Sequence, residues 1–324
     1  MESVIVGIDI GGTGTKFGLV DNSGNLLCED KIDTGGETFD HFVSQIVEAI
    51  QQMLVQYPDC QLEGVGVGAP GGNYYTGMIT GASNLPWSGD LPLVEKMSQY
   101  FDVPVVLSND ANATAMGEKV FGGAKGMKDF VMITLGTGLG SGIVSSGNLL
   151  IGSDSLAAEY GHVLIKGSGG RDCNCGRKGC LETYVSATGI KRTMMELLAK
   201  YTTPSVLRGV AFDDLYSRDI ATAANAGDAL AQKAFRITGK VLGRQLANLV
   251  AVVNPEAIFL FGGLALADGL ILDPTRKHLE KNLLGMYKGK VKLMRSQLGT
   301  QGAAIVGAAS LAYQFKDYLQ FQED

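Results

Sequence analysis

The common P-loop phosphate-binding motif does not occur in this sequence. No G-x-x-x-x-G-K-[ST] is found anywhere, and the run Gly136, Gly138, Gly140, Gly142 reads G-x-G-x-G-x-G, not the dinucleotide-binding G-x-G-x-x-G. The first absence sets aside a P-loop NTPase, and the second sets aside a dinucleotide-binding reading of the 136–142 run. The N-terminus, Met-Glu-Ser-Val-Ile-Val, lacks a basic leader region and reads directly as a first strand. No apolar run approaches the roughly 20 residues of a membrane span; the nearest, 257–272, is interrupted by Asp268. Positive charge is sparse: the formal net charge is −6 and the basic residues are scattered, which argues against nucleic acid or an anionic membrane as partner. Tryptophan occurs once, as Trp87 in Asn84-Leu85-Pro86-Trp87, where packing is the expected role. A soluble, cytoplasmic protein is expected.

Glycine, in contrast, is abundant, with 45 residues clustered at strand ends and not in repeats, which points to many tight loops. Two of those loops match. Gly12, Thr13, Gly14, Gly18 and Val20 recur 124 positions later as Gly136, Thr137, Gly138, Gly142 and Val144. After one deleted position, Ser23-Gly24-Asn25-Leu26-Leu27 recurs as Ser146-Gly147-Asn148-Leu149-Leu150. Each copy follows an apolar strand, Val4–Ile8 or Phe130–Thr134. Glycines just past a strand let backbone N–H groups approach an anion. Two unrelated hairpins would explain the Gly-Asn turns, but not the shared Gly-Thr-Gly at the same offset. Duplication into two related lobes that grip one phosphate chain is the better reading.

A chain of 324 residues, 45% hydrophobic, can bury two α/β cores. Strands are expected at Val4–Ile10, Phe17–Val20, Gly64–Gly68, 104–107 and Ala257–Phe261. Helices are expected at 39–56, 91–101, 109–120, 228–253 and 301–319. Residues 122–126 form a plausible junction, and 152–179 is rich in loops. In the long helix the apolar stripe is taken as Leu230, Ala234, Ile237, Val241, Leu249 and Val253. The βαβ alternation in both halves gives an α/β protein of two lobes with a cleft between them.

Five cysteines include three close together, Cys173, Cys175 and Cys180, which with His162 have the identities of a structural zinc site. A disulfide is disfavoured in a cytosolic chain with an unpaired third thiol. Cys28 and Cys60 read as ordinary buried thiols, and His41 and His278 as solvated. Asp110 is the candidate general base: it follows an apolar strand at the start of a helix, where open α/β sheets bind ligands. Helix capping is the commoner meaning of Asn-Asp, and here Asn109 can cap while Asp110 faces the cleft.

Together these segments resemble the ROK family of sugar kinases and repressors. The matching residues are Asp9-Ile10-Gly11-Gly12-Thr13 with Lys16, Asn109–Asn112, Leu135–Gly138, Glu159-Tyr160-Gly161-His162, and Cys173-Asn174-Cys175-Gly176 through Gly179-Cys180-Leu181-Glu182-Thr183. The run from Cys180 to Ile190 looks most like the bacterial glucokinases of that family.

The resemblance implies an actin-like ATPase and sugar-kinase (RNase H-like) fold, with one lobe at 1–120 joined by a returning helix at 301–324, and a second at 121–300. It implies ATP-dependent phosphorylation of the 6-hydroxyl of a hexose, most readily glucose, with N-acetylmannosamine, N-acetylglucosamine, fructose or allose as alternatives. Asp110 would take the hydroxyl proton. Gly71, Gly72, Asn84, Asn109, Glu159, His162 and Glu182 would line or bind the sugar. Gly11, Gly12, Thr13, Lys16, Thr137 and Gly138 would contact ATP phosphates, Gly262 and Gly263 its adenosine, and Asp9 would hold Mg²⁺ through water. His162 would serve both zinc and sugar. A homodimer or higher homo-oligomer is expected. A repressor of this family needs a DNA-binding segment ahead of the phosphate loop, which here begins by Gly11, and a sensor without activity is disfavoured by Asp110.

Overall fold

The computed structural model describes residues 1–82, 84–299 and 302–320, with 314–320 as backbone only. The chain divides into two compact units, one of residues 1–126, 149–157 and 297–324, the other of 127–148 and 158–296. No described helix is long and apolar enough to cross a membrane.

The first unit is built on β1 (Glu2–Ile10), β2 (Gly14–Asp21), β3 (Leu26–Asp33), β4 (Cys60–Gly68) and β5 (Val105–Ser108), in the order β3-β2-β1-β4-β5. β2 and β3 pair antiparallel beside β1, whereas β4 and β5 run parallel to it. The second sheet contains β6 (Phe130–Leu135), β7 (Leu139–Ser145), β8 (Asn148–Leu149), β9 (Ala257–Phe261) and β10 (Lys292–Arg295), ordered β10-β9-β6-β7-β8. It repeats the first: an antiparallel hairpin on one side of a central strand and two parallel strands on the other. The matched glycine loops are the turns of the two corresponding hairpins. β3 was not foreseen from the sequence, since Cys28-Glu29-Asp30-Lys31 is polar at its exposed edge.

β1 is buried along nearly its whole length because both faces are covered. On one face, Val4, Val6 and Ile8 meet α1 (Phe39–Val55) through Phe42, Val43, Ile46 and Ile50, the i, i+3, i+4 stripe of an amphipathic helix. Thr38 caps that helix by accepting from the His41 N–H. The other face carries α3 (Asp110–Val120) and α9 (Ala303–Gln320), and here the sheet is paved with glycine. A Cβ on Gly7 would lie 2.0 Å from the Ile305 carbonyl oxygen, and one on Gly66 1.9 Å from that of Ala308. Of the helix expected over 301–319, Gln301 lies outside the described residues, as does the 321–324 end of the returning segment.

Between β4 and β5 the sequence predicted a helix over 91–101; only α2 (Leu93–Met97) forms. Leu91 is drawn into a bridge with Ile79, and a turn follows at Tyr100. In the second unit the long helix, α7 (Ala229–Val253), is capped by Asp228 and ended by Asn254 in the left-handed region at φ 45°. Its buried stripe differs from the expected one. Leu230, Ala234 and Leu249 are buried, but Ile237 is exposed and Phe235, Thr238, Leu242 and Leu246 take the core positions. The reason is α8 (Gly269–Asn282), which packs on Gly239 and Gly243 of α7 and turns a second face inward. His278, on α8, is part-buried, and burial together with Lys240, Arg244, Lys277 and Lys281 holds its pKa below the usual imidazole value. His41, by contrast, is exposed.

Gly66→Ala is expected to destabilise the protein by about 1–3 kcal/mol or more in denaturant titrations, because the new methyl group overlaps α9. Gly35→Ala, where nothing lies within 4 Å, serves as control and is expected to stay near neutral.

Candidate active site

Each unit brings its chemistry-bearing residues to the carboxyl ends of its parallel strands, where open α/β sheets leave backbone groups available for ligands. In the first unit, β1 ends at Asp9 and Ile10, and the Gly11 N–H closes the hairpin turn onto the Gly14 carbonyl at 3.1 Å. Asp9 faces Lys16 across the hairpin register. Its carboxyl is pushed up to about 6, first by burial and then by the nearby Asp110, with Lys16 opposing.

Asp110 opens α3 directly after β5. The Asn109 side chain accepts from the Ala111 N–H at 2.7 Å and so caps the helix. One Asp110 oxygen shares that N–H at 2.8 Å; the other takes no part in the cap. Asp110 remains solvent-accessible, yet the protein around it weakens its hydration and raises its pKa, against the pull of the Ala111 N–H. A raised carboxylate is a better proton acceptor.

Gly71 and Gly72 follow β4. Gly71, at φ +66°, occupies a conformation that favours glycine. A Cβ on Gly72 would meet the Ser108 carbonyl at 2.5 Å, so this turn abuts the strand that leads into Asn109 and Asp110. Asn84 comes from the 81–90 loop, and its backbone oxygen lies 2.7 Å from where a Gly12 Cβ would be. Asp9, Gly11, Gly12, Thr13, Gly71, Gly72, Asn84, Asn109 and Asp110 are thus all carried by one end of the first sheet and the loops around it.

In the second unit the hairpin turn Gly136-Thr137-Gly138 joins β6 to β7. Gly262, just after β9, packs on Leu135 of β6, and Gly263 lines a cavity of about 580 Å³ with Ser217, Arg218, Thr222 and Asn225. These four come from α6 (Ser217–Asn225), and sequence reading missed them, because α6 carries no motif.

The cysteine loop forms the other half of this unit's site. Donor atoms of His162, Cys173, Cys175 and Cys180 all lie within 4.8 Å of one another. The Cys175–Cys180 sulfurs are 3.6 Å apart, and the Cys173 sulfur is 3.7 Å from the His162 Nδ1. A tetrahedral zinc with bonds near 2.3 Å sets its ligands roughly 3.8 Å apart, so the four donors fit that ion in number, chemistry and spacing. The Arg177 side chain pulls the Cys175 thiol down to about 6, towards the thiolate a metal needs, while burial raises Cys173 and Cys180.

Glu182 opens α4 (Glu182–Val185). One of its oxygens accepts from the Cys173 thiol at 2.9 Å and lies 3.8 Å from the His162 Nδ1; the other accepts weakly from the Leu139 N–H at 3.4 Å. A Cβ on Gly138 would come within 2.7 Å of that second oxygen. Glu182 therefore ties the cysteine loop to the glycine hairpin. Glu159 precedes the helical turn Tyr160–His162 and is exposed.

Arg171, unmarked in the sequence except by its place ahead of Cys173, holds the loop down. It donates to the Thr183 and Gly189 carbonyls at 2.7 and 3.0 Å, pairs with Glu196 at 2.9 Å and stacks over Tyr184. Its partners lie on α4 and α5 (Ala187–Lys200).

Two such sheets, each offering a glycine hairpin, with a carboxylate at a helix start and a Cys₃His loop, define the actin-like ATPase and sugar-kinase class. The chain belongs to the ROK family, whose sequence profile matches residues 5–315. It is 34% identical over 322 residues to a glucokinase of Halalkalibacterium halodurans, covering 97% of this chain and 96% of that one. It also matches the crystal structure of a ROK family glucokinase from Streptomyces griseus in complex with glucose and AMPPNP, at 35% identity and a TM-score of 0.79, covering 96% and 99% of the two chains. The xylose repressor of Bacillus subtilis is more distant, at 27% identity over 308 residues, 94% of this chain and 76% of the repressor.

Protein purified under reducing conditions is expected to carry about one zinc per chain, the stoichiometry of a closed four-ligand site. Elemental analysis should find that content lost in Cys180→Ser and retained in Cys60→Ser, whose thiol lies on β4.

Proposed function

We propose that this protein is an ATP-dependent hexose kinase that converts glucose to glucose 6-phosphate, with Asp110 as the general base. The observation that carries this reading is the Asp110 carboxylate: it reaches solvent beside Asp9 at the strand ends, its pKa is raised, and Asn109 has taken over the capping role. The kinship with glucokinases, including one crystallised with glucose and AMPPNP, supports the choice of sugar and nucleotide.

In the reaction, Asp110 would accept the proton of the 6-hydroxyl as that oxygen forms a bond to the γ-phosphorus. The bond from phosphorus to the β-phosphate oxygen then breaks and ADP leaves. Such transfers depend on positioning and on neutralised phosphate charge. Gly11, Gly12, Thr13, Lys16, Thr137 and Gly138 would receive the phosphates, with Lys16 supplying positive charge. Gly262 and Gly263 would adjoin the adenosine, and the cavity lined by Ser217, Arg218, Thr222 and Asn225 would take it. Asp9 would hold Mg²⁺ through water, and that ion would supply charge neutralisation at the phosphates.

The sugar hydroxyls would be met by Asn84, Asn109, Glu159, His162 and Glu182, with Gly71 and Gly72 against the ring. Carboxylates accept more than one hydroxyl each. His162, Cys173, Cys175 and Cys180 would hold a structural zinc that fixes Glu182 and His162 without joining the chemistry. Three reduced thiols suit the cytoplasm.

Asp110→Asn keeps the fold and removes the base, so turnover is expected to fall by about 10²–10⁴-fold, measured by coupled ADP release. Near-normal turnover would reduce Asp110 to a cap. A buried group paired with a substrate hydroxyl rejects analogues lacking it by up to roughly 10⁴–10⁵. Glucose should therefore show a higher kcat/KM than N-acetylmannosamine, and the reverse would move the assignment to the acetamido sugars.

The contact between Gly138 and Glu182 makes a further difference. Gly138→Val is expected to weaken both ATP and sugar, the latter by displacing the Glu182 carboxylate. Gly136→Ala, where nothing lies within 4 Å, should leave sugar affinity unchanged. Calorimetric titration of the sugar without nucleotide separates the two.

A further inference from the structure

Glu118 is a fully buried carboxylate that the proposed reaction does not use. It lies in the last turn of α3, eight residues after Asp110, or about 12 Å along the helix at ~1.5 Å per residue. One of its oxygens, Oε1, accepts two backbone N–H groups: from Gly123 at 2.8 Å and from Gln297 at 3.0 Å. These two residues stand at special points of the chain. Gly123 lies in the segment through which the chain first leaves the first unit, between 126 and 127; after the return at 149–157, Gln297 is the residue at which it re-enters for the last time.

The backbone around this oxygen is built to hold it. The Gly122 and Ala124 N–H groups both bond the Glu118 carbonyl at 3.1 Å, wrapping the exit segment over the helix end. A Cβ on Gly122 would lie 2.7 Å from the Glu118 Cδ and 2.9 Å from Oε1, so only glycine lets the carboxylate sit there. Immediately before Glu118, Gly117 lies against Gly307 of α9, where an added Cβ would come within 2.9 Å. A fully buried side-chain oxygen that accepts two backbone N–H groups ties both segments to it, and removing it leaves both donors without that acceptor.

We propose that Glu118 is a positioning residue for the phosphoryl transfer: it clamps the exit and re-entry segments onto α3, and through that rigid helix sets where Asp110 is presented. This rests on the reading of Asp110 as the base. Hinge positions of this kind lie far from the chemistry, and changing them alters kcat and KM together.

The test compares Glu118→Ala, Gly122→Ala and Glu118→Gln with the wild type, by amide hydrogen exchange at Gly123 and Gln297 and by hexose kinetics per folded molecule. Glu118→Gln keeps an acceptor oxygen in the same place, whereas Gly122→Ala displaces the carboxylate without removing it. In the unliganded wild type both amides should be protected and respond together. In Glu118→Ala and Gly122→Ala both should exchange at least tenfold faster, kcat should fall at least tenfold, and the sugar KM should shift with it. Glu118→Gln should restore most of both.

Independent exchange of the two amides in the wild type would overturn the clamp. Unchanged kcat per folded molecule in Glu118→Ala would overturn the positioning role and leave Glu118 a stability residue. Failure of the kinase reading would appear differently, as absence of hexose turnover in the wild type, and the exchange measurement needs neither sugar nor nucleotide.

Discussion

The contact on which the first unit depends is the packing of α9 directly against backbone. Three elements meet that helix through glycine or alanine: β1 at Gly7, β4 at Gly66 and α3 at Gly117. They are the same elements that deliver Asp9, the Gly71-Gly72 turn and Asp110. Side chains at these crossings would hold the layers apart by several ångströms. With none there, the last helix of the chain fixes the separation between its first strand and the helix bearing the proposed base. Close packing transmits displacement, because a core at crystal-like density has little room to absorb it.

Two carboxyl groups at this end of the sheet, Asp9 and Asp110, have their pKa values raised, chiefly by burial. Asp9 sits near 6 because it is buried and shares the neighbourhood of Asp110, with only Lys16 in opposition. Burial of charge is unfavourable unless it is compensated, and a cation held here in the proposed reaction would supply that compensation.

In the second unit the organising residue is Glu182. It binds the Cys173 thiol with one oxygen and reaches the β6–β7 hairpin with the other. The cysteine loop has almost no apolar core of its own, and Arg171 compensates by satisfying two carbonyls, a hydroxyl and a carboxylate on α4 and α5. A metal would complete that arrangement by cross-linking His162 to the three sulfurs. The cysteine loop, the hairpin and the Glu182 carboxylate are therefore mechanically linked.

The amino-acid sequence by itself determined the strands and helices with strong periodicity, the duplicated hairpins, the Cys₃His set and the cap at Asn109, because each is a local pattern with a local cause. The cap at Asn109 needs only its own helix, and the Gly-Asn turns need only two adjacent strands. What depended on distant partners was not legible. The stripe of α7 rotated because α8 supplies a second neighbour, and residues 91–101 gave up most of a helix to a bridge between Leu91 and Ile79. Arg171 and Glu118 carry no motif, since their meaning comes from carbonyls and N–H groups that reach them only on folding. Glu118 accepts on one oxygen from Gln297, 179 positions away. Such a meeting is decided by tertiary packing alone, because a buried charge can choose its partners only among the groups the fold brings within hydrogen-bonding distance.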